Sequence, residues 1–333
     1  MSRIFTAFTL AALLAGCDGE NPFQAEVAAV APVVPVTPPT TPIIDPDNPV
    51  NANGIPTVLA NDLQSVAYNP VAGTLSVDML ALDRTDSDIP LQAYTPNASL
   101  TALAPGYEVF TYQDDPLDRM FVAIVAQDAN DNVVGAIVMD GGQFTKFFGG
   151  GFYATDGNYT PGTGLNDTGL VSYAGDYAAL TNLDANGNEL LVPGGTPNPA
   201  ILPGQPAQIS GSIFINADFG DNTVNGAIYD RAFQNLAGPS GPILAVPDVY
   251  LIPTAITDAG TFFGEVEHPA QENVGAYGGT FGGVNAQGVA GTTNLDGDWL
   301  PTVENEAEFG VFVLTQCGQA GQDPICASIP VSP

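Results

Sequence analysis

The chain has 333 residues, 45% of them apolar, with five Lys and Arg against 36 Asp and Glu and a formal net charge of −31. So few cations exclude a nucleic-acid partner, which needs several basic side chains close to phosphates, and disfavour an anionic membrane surface. The 38 glycines and 29 prolines favour strands and turns over long helices.

The N-terminal "MSRIFTAFTLAALLAGCD" has one early cation, Arg3, and an apolar run from Ile4 to Leu14. The run is too short to span a bilayer well and is built like a signal-peptide core. It ends in Leu14-Ala15-Gly16-Cys17, which resembles the bacterial lipobox. That resemblance implies removal of residues 1–16 and lipidation of Cys17, hence a membrane partner through acyl chains. An ordinary signal peptide followed by a chance cysteine is the alternative. Prolines punctuate the next segment from Pro32 to Pro56, so residues 17–58 read as an extended tether, at roughly 3.1 Å per residue in polyproline geometry.

The folded part is expected from about Leu59. Residues 59–145 read as a β-rich region, with strand patterns at 73–82, 107–112, 119–128 and 132–140. "FFGGGFYATDGNYTPGTG" reads as an aromatic, glycine-rich hinge, so the boundary falls at 145/146. Eight runs follow, at 169–180, 207–219, 222–230, 248–253, 260–267, 275–281, 288–295 and 307–316. In "NTVNGAIYD", Val224, Gly226 and Ile228 share one face and Thr223, Asn225, Ala227 and Tyr229 the other. Successive alternating strands joined by turns predict an all-β fold whose residues 146–333 form an eight-stranded antiparallel barrel, a closure that removes sheet edges. A membrane-spanning barrel alternates as well. Against it, the outward faces carry Asn, Thr and Ser, and the chain ends in "PVSP" rather than in a strand with a terminal aromatic.

Cys317 and Cys326 bracket "GQAGQDPI" and read as a disulfide in an exported protein. A zinc site lacks ligands, since His268 is the lone histidine. Its place in "EVEHPAQEN" reads as a solvated loop position. No Walker loop, dinucleotide fingerprint or G-x-S-x-G elbow occurs, so neither an enzyme nor a cofactor is expected. "DANDN" (128–132) and "DANGNE" (184–189) space Asp and Asn as calcium loops do, but hairpin turns use the same residues.

The glycine-rich "GAYGGTFGGVNAQGVAGTTNL" (275–295) sits across two strand patterns. Within it Gly279, Phe281, Gly283, Ala286 and Gly291 match, in register, a signature of approximately G-x-F-x-G-P-x-A-x-E-x-x-G. It resembles that of the transferrin-binding protein B-like surface lipoproteins of Gram-negative bacteria. The Pro and Glu of the signature are replaced by Val284 and Gly288, and the likeness covers about residues 145–317. The resemblance implies a barrel lobe with a handle-like region before it. It also implies an outer-membrane or other cell-envelope location, the outer membrane favoured over the inner, and a protein or small-molecule ligand, with nutrient or iron acquisition as the family role. No binding residue carries over, because the loops do not match. A carrier holding a small ligand in the barrel lumen is the alternative.

Overall fold

The structure is a computed structural model that describes residues 49–80, 91–164, 167–238, 245–296, 299–300, 303 and 305–328. The expected signal segment, Cys17 and the tether up to residue 48 lie outside the described residues.

Seven strands form the first sheet: β1 (Leu63–Asn69), β2 (Thr74–Met79), β3 (Gln92–Pro96), β4 (Glu108–Tyr112), β5 (Phe121–Gln127), β6 (Val133–Asp140) and β7 (Gly149–Thr155). They pair in sequence order as an antiparallel meander. Two single-turn helices accompany them, α1 (Thr57–Ala60) and α2 (Ala98–Thr101). Asn97 caps α2, its side-chain oxygen accepting from the Leu100 amide at 3.0 Å.

Eight further strands close into a barrel: β8 (Leu170–Asp184), β9 (Pro206–Asp218), β10 (Thr223–Phe233), β11 (Val249–Ala255), β12 (Thr261–Glu267), β13 (Asn273–Gly282), β14 (Gly288–Leu295) and β15 (Glu308–Thr315). β15 returns to pair antiparallel with β8, with Phe312 opposite Tyr177 and Glu308 opposite Thr181. The eight runs read from the sequence are these eight strands. The alternation on β10 is also as read, with Val224 and Ile228 fully buried inside the barrel.

The expected hinge is different. Gly149–Thr155 is the buried last strand of the first sheet, so this sheet extends past the 145/146 boundary. Its glycines are small by necessity rather than signs of a loop. A Cβ at Gly149 would lie 2.8 Å from the Phe309 ring, and one at Gly151 would lie 2.7 Å from Thr292, in each case against the barrel wall. The first sheet is also longer at its start than the sequence suggested. Ile55 is buried, and β1 and β3 carry too few apolar residues to show as strand patterns.

The two halves share their cores. On β5, Phe121, Ala123 and Val125 pack with Leu59, Val77 and Phe152. Val122 and Ile124, on the other face, pack with Leu180, Phe309 and Val311 from the outside of the barrel. The outward faces of β13–β15 are therefore covered by protein. Every residue of β14 is buried, which explains why that strand shows no polar alternation.

Candidate binding surface and barrel interior

The barrel interior is filled by its own side chains. Towards one end, Phe281 packs with Phe219 (5.0 Å between ring centroids), Phe262 (5.1 Å) and Tyr173 (5.6 Å). Glycines on neighbouring strands make the space. A Cβ at Gly279 would meet the Phe262 ring at 2.6 Å, and one at Gly291 would meet the Phe312 ring at 2.3 Å. These are the resemblance residues, and the structure gives them architectural work. Phe281 is a lumen anchor, and Gly279 sits directly opposite Gly291 across β13 and β14. Gly283, at φ +78°, turns the chain beside the Asn132 side chain, and Ala286 is buried, its carbonyl accepting from the Tyr173 hydroxyl.

Towards the other end lies a polar centre that the sequence did not reveal. Arg231 of β10 reaches across the lumen to Glu308 of β15, both side chains fully buried. Glu308 also accepts from the Tyr177 hydroxyl at 2.7 Å, and that hydroxyl lies 2.8 Å from Thr293 Oγ1. Arg231 donates to the Pro247 carbonyl at 2.7 Å and stacks over Trp299 at 5.2 Å. The low dielectric around Tyr177, then the Glu308 carboxylate, hold the phenol protonated well above its ordinary range. A lone Arg in the β-pattern "AIYDRAF" was the available signal.

On the outside, three loops converge. Gln143 donates from its side-chain amide to the Leu117 carbonyl and the Ile201 carbonyl, each at 2.8 Å. It thereby joins the β4–β5, β6–β7 and β8–β9 connections. The β6–β7 hairpin closes on Gln143 and Lys146, with Phe144 at φ 55° and Thr145 at φ 60° as the two central residues. Such a turn normally selects Asn-Gly, because bulky and β-branched residues are strained at positive φ. Arg119 holds it in place by bonding the Asp140 carboxylate and the Gln143 and Lys146 carbonyls. Positions held at such angles by surrounding contacts cluster at ligand clamps and switch regions. Here Phe144 is 62% exposed, and Leu117, Leu191, Val192 and Leu202 are exposed on the adjoining loops. Asp114, Asp115 and Asp118 lie exposed beside Leu117.

The other residues singled out in the sequence fall as follows. Cys317 and Cys326 are joined as a disulfide, with a Cα–Cα separation of 5.4 Å. Asp128 accepts from the amides of Asn130, Asn132 and Val133 and from the Asn132 side chain, so its own turn uses the carboxylate. Glu189 accepts from the Asn97 side chain at 2.6 Å, which ties the β8–β9 loop to α2. His268 lies in the β12–β13 turn, its Nδ1 facing the Ala270 amide at 3.4 Å. Among the described residues no cluster of three or more His, Cys, Asp or Glu is arranged to hold a metal, and no helix is long and apolar enough to cross a membrane.

Fold and surface together define an all-β protein of two joined parts, a meander sheet and a closed barrel with a packed lumen. The chain is similar to solved structures of transferrin-binding protein B. One, a mutant of the Haemophilus parasuis Hp5 protein, is 15% identical with a TM-score of 0.38, over 78% of this chain and 42% of that chain. Another, isotype 1 from serogroup B Neisseria meningitidis, is 12% identical with a TM-score of 0.32, over 80% of this chain and 54% of that chain. This chain thus spans about half the length of these structures or less. No protein-family model and no curated protein sequence matches the chain.

Proposed function

We propose that this protein is a non-enzymatic, lipid-anchored cell-envelope protein that binds a protein partner on the three-loop surface around Phe144. The observation that carries the reading is the strained, exposed Phe144 tip surrounded by apolar residues on loops pinned by Gln143. Exposed aromatic and aliphatic anchors within an acidic rim suit a protein interface. The filled lumen favours this outside surface over the carrier alternative, which needs a pocket of roughly several hundred Å³. Anchoring rests on the Leu14–Cys17 pattern, and a role in nutrient or iron acquisition rests on the family resemblance alone.

The test uses immobilised residues 49–333 exposed to growth medium and host secretions. Wild type is expected to retain a partner that a Phe144→Ser, Leu117→Ser variant does not. Equal capture by the two proteins would remove the surface assignment. For the anchor, Cys17→Ser is expected to move the full-length protein from the membrane fraction to the soluble fraction. Unchanged partitioning would refute lipidation.

A further inference from the structure

A second region, away from the three-loop surface, joins the two halves. The disulfide loop lies between the barrel and the β5–β6 hairpin of the first sheet. On the barrel side the Cys317 amide donates to the Ser172 carbonyl at 2.9 Å. A Cβ built on Gly175 of β8 would lie 3.5 Å from the Asp323 side chain. On the sheet side Gly321, at φ +84°, brings its backbone against Ala129, so that an added Cβ would come within 2.5 Å of the alanine methyl. The Asn130 side chain donates to the Ala320 carbonyl at 3.3 Å.

Residues of all three parts line one cleft of about 160 Å³, including Tyr107, Asp128, Asp176, Gly321 and Asp323. Asp323 is held close to Asp176, whose carboxyl is raised above its ordinary range by burial and then by Asp323. Two like charges across a cleft push the loop away from the barrel. The loop's own hydrogen bonds are short-range, from Gln319 to Gln316, Gln322 to Gln319 and Cys326 to Asp323. They shape it without attaching it to the sheet.

We propose that the Cys317–Cys326 loop is a redox-sensitive clasp over the β5–β6 hairpin, which adds to the hairpin's direct packing on Gly282, Gly283 and Gly288 of the barrel and is lost when its disulfide is reduced. A dithiol supplies the electrons. Its thiolate attacks Sγ of Cys317, the less buried of the two cysteines, and Cys326 leaves as a thiolate that takes up a proton. The second thiol of the reductant then displaces Cys317 as a thiol and closes the reductant's own disulfide. Two electrons and two protons pass to the protein. The lumen core contains neither cysteine, so barrel and sheet keep their packing.

The experiment is hydrogen exchange on the folded full-length protein, oxidised and then reduced with dithiothreitol under native conditions. The expected result is exchange roughly tenfold faster or more in 318–325 and at the Asp131, Asn132 and Val133 amides, with β12–β14 unchanged. Faster exchange confined to 318–325, no change anywhere, or lost protection throughout the sheet and barrel would each overturn the proposal. A second variant, Gly321→Val, keeps both cysteines and blocks the approach to Ala129. It is expected to speed exchange in the hairpin with the disulfide intact, and a hairpin that stays protected would count against the clasp. A Cys317→Ser, Cys326→Ser variant should match the reduced protein. Should it fail to fold, reduction of the folded wild type still decides the question.

Discussion

Arg231 and Glu308 show how one charge pair shapes a barrel interior. Neither side chain touches water, so each depends on the other and on Tyr177 and Pro247 for its hydrogen bonds. Removing one partner leaves a buried charge unpaired. Glu308→Leu alone is therefore expected to lower unfolding free energy in urea by about 3–5 kcal/mol. Replacing the pair together, as Arg231→Met with Glu308→Leu, is expected to recover most of that loss. A double variant as unstable as the single one would mean that the charges contribute more than their mutual neutralisation. Asp176 gives a second prediction with opposite sign to the usual carboxylate. Its carboxyl is raised above the ordinary 3.8, first by burial and then by Asp323. The native state thus holds this proton to higher pH than the unfolded chain does. Stability falls as pH rises from about 3.8 through the raised value, because the native state binds more protons across that interval. Asp176→Asn is expected to raise the urea midpoint at pH 7 and to leave it unchanged at pH 3. An equal shift at the two pH values would assign the effect to packing.

At the scale of elements, the β6–β7 hairpin sets stability against binding. Phe144 and Thr145 occupy positive-φ positions where Asn and Gly are at ease. Phe144→Asn with Thr145→Gly is expected to stabilise the protein by roughly 1–3 kcal/mol, the usual strain of such positions, while weakening capture of the partner. Calorimetry and the immobilised-protein assay measure the two effects, and a variant that gains stability without losing capture would separate the strain from binding. Legibility in the sequence follows the same physics. β8–β12 could be read because a filled lumen on one side and a more polar outer face on the other impose a period of two. β14 was found through its flanking turns and β-branched residues, since all its positions are buried. β7 was missed because its first three residues are glycines, each placed where another segment of the chain passes within contact distance. The turn residues Phe144 and Thr145 were missed for the reverse reason, since a strained turn lacks turn chemistry. Arg231 stands out in "AIYDRAF", but its partner Glu308 lies 77 positions away, and nothing local joins the two.

For the whole molecule, the packing predicts that sheet and barrel unfold together. β6 and β7 lie against β13–β15 with glycines at the contact from each side: Gly151 against Thr292, Gly135 against Val311 and Val313, and Gly282 against Val133. At these positions the backbones of two layers come too close for a side chain, so neither layer keeps its own surface. Val122, Ile124, Phe309 and Val311 would each face water if the halves parted, at a cost of about 1.5–3 kcal/mol for every such side chain. That sum is comparable with the whole stability of a typical domain, so an intermediate with one half folded is disfavoured. Gly151→Val adds bulk at the centre of the contact and is expected to cost roughly 1–3 kcal/mol. Its loss should appear equally in two probes. Trp299, the one tryptophan, reports on the barrel by fluorescence, and exchange of the β5 amides reports on the sheet. Coincident transitions that shift together in the variant are the expected outcome. A sheet that melts before Trp299 responds would show two folding units in contact rather than one, and would place the shared core among late, weak associations.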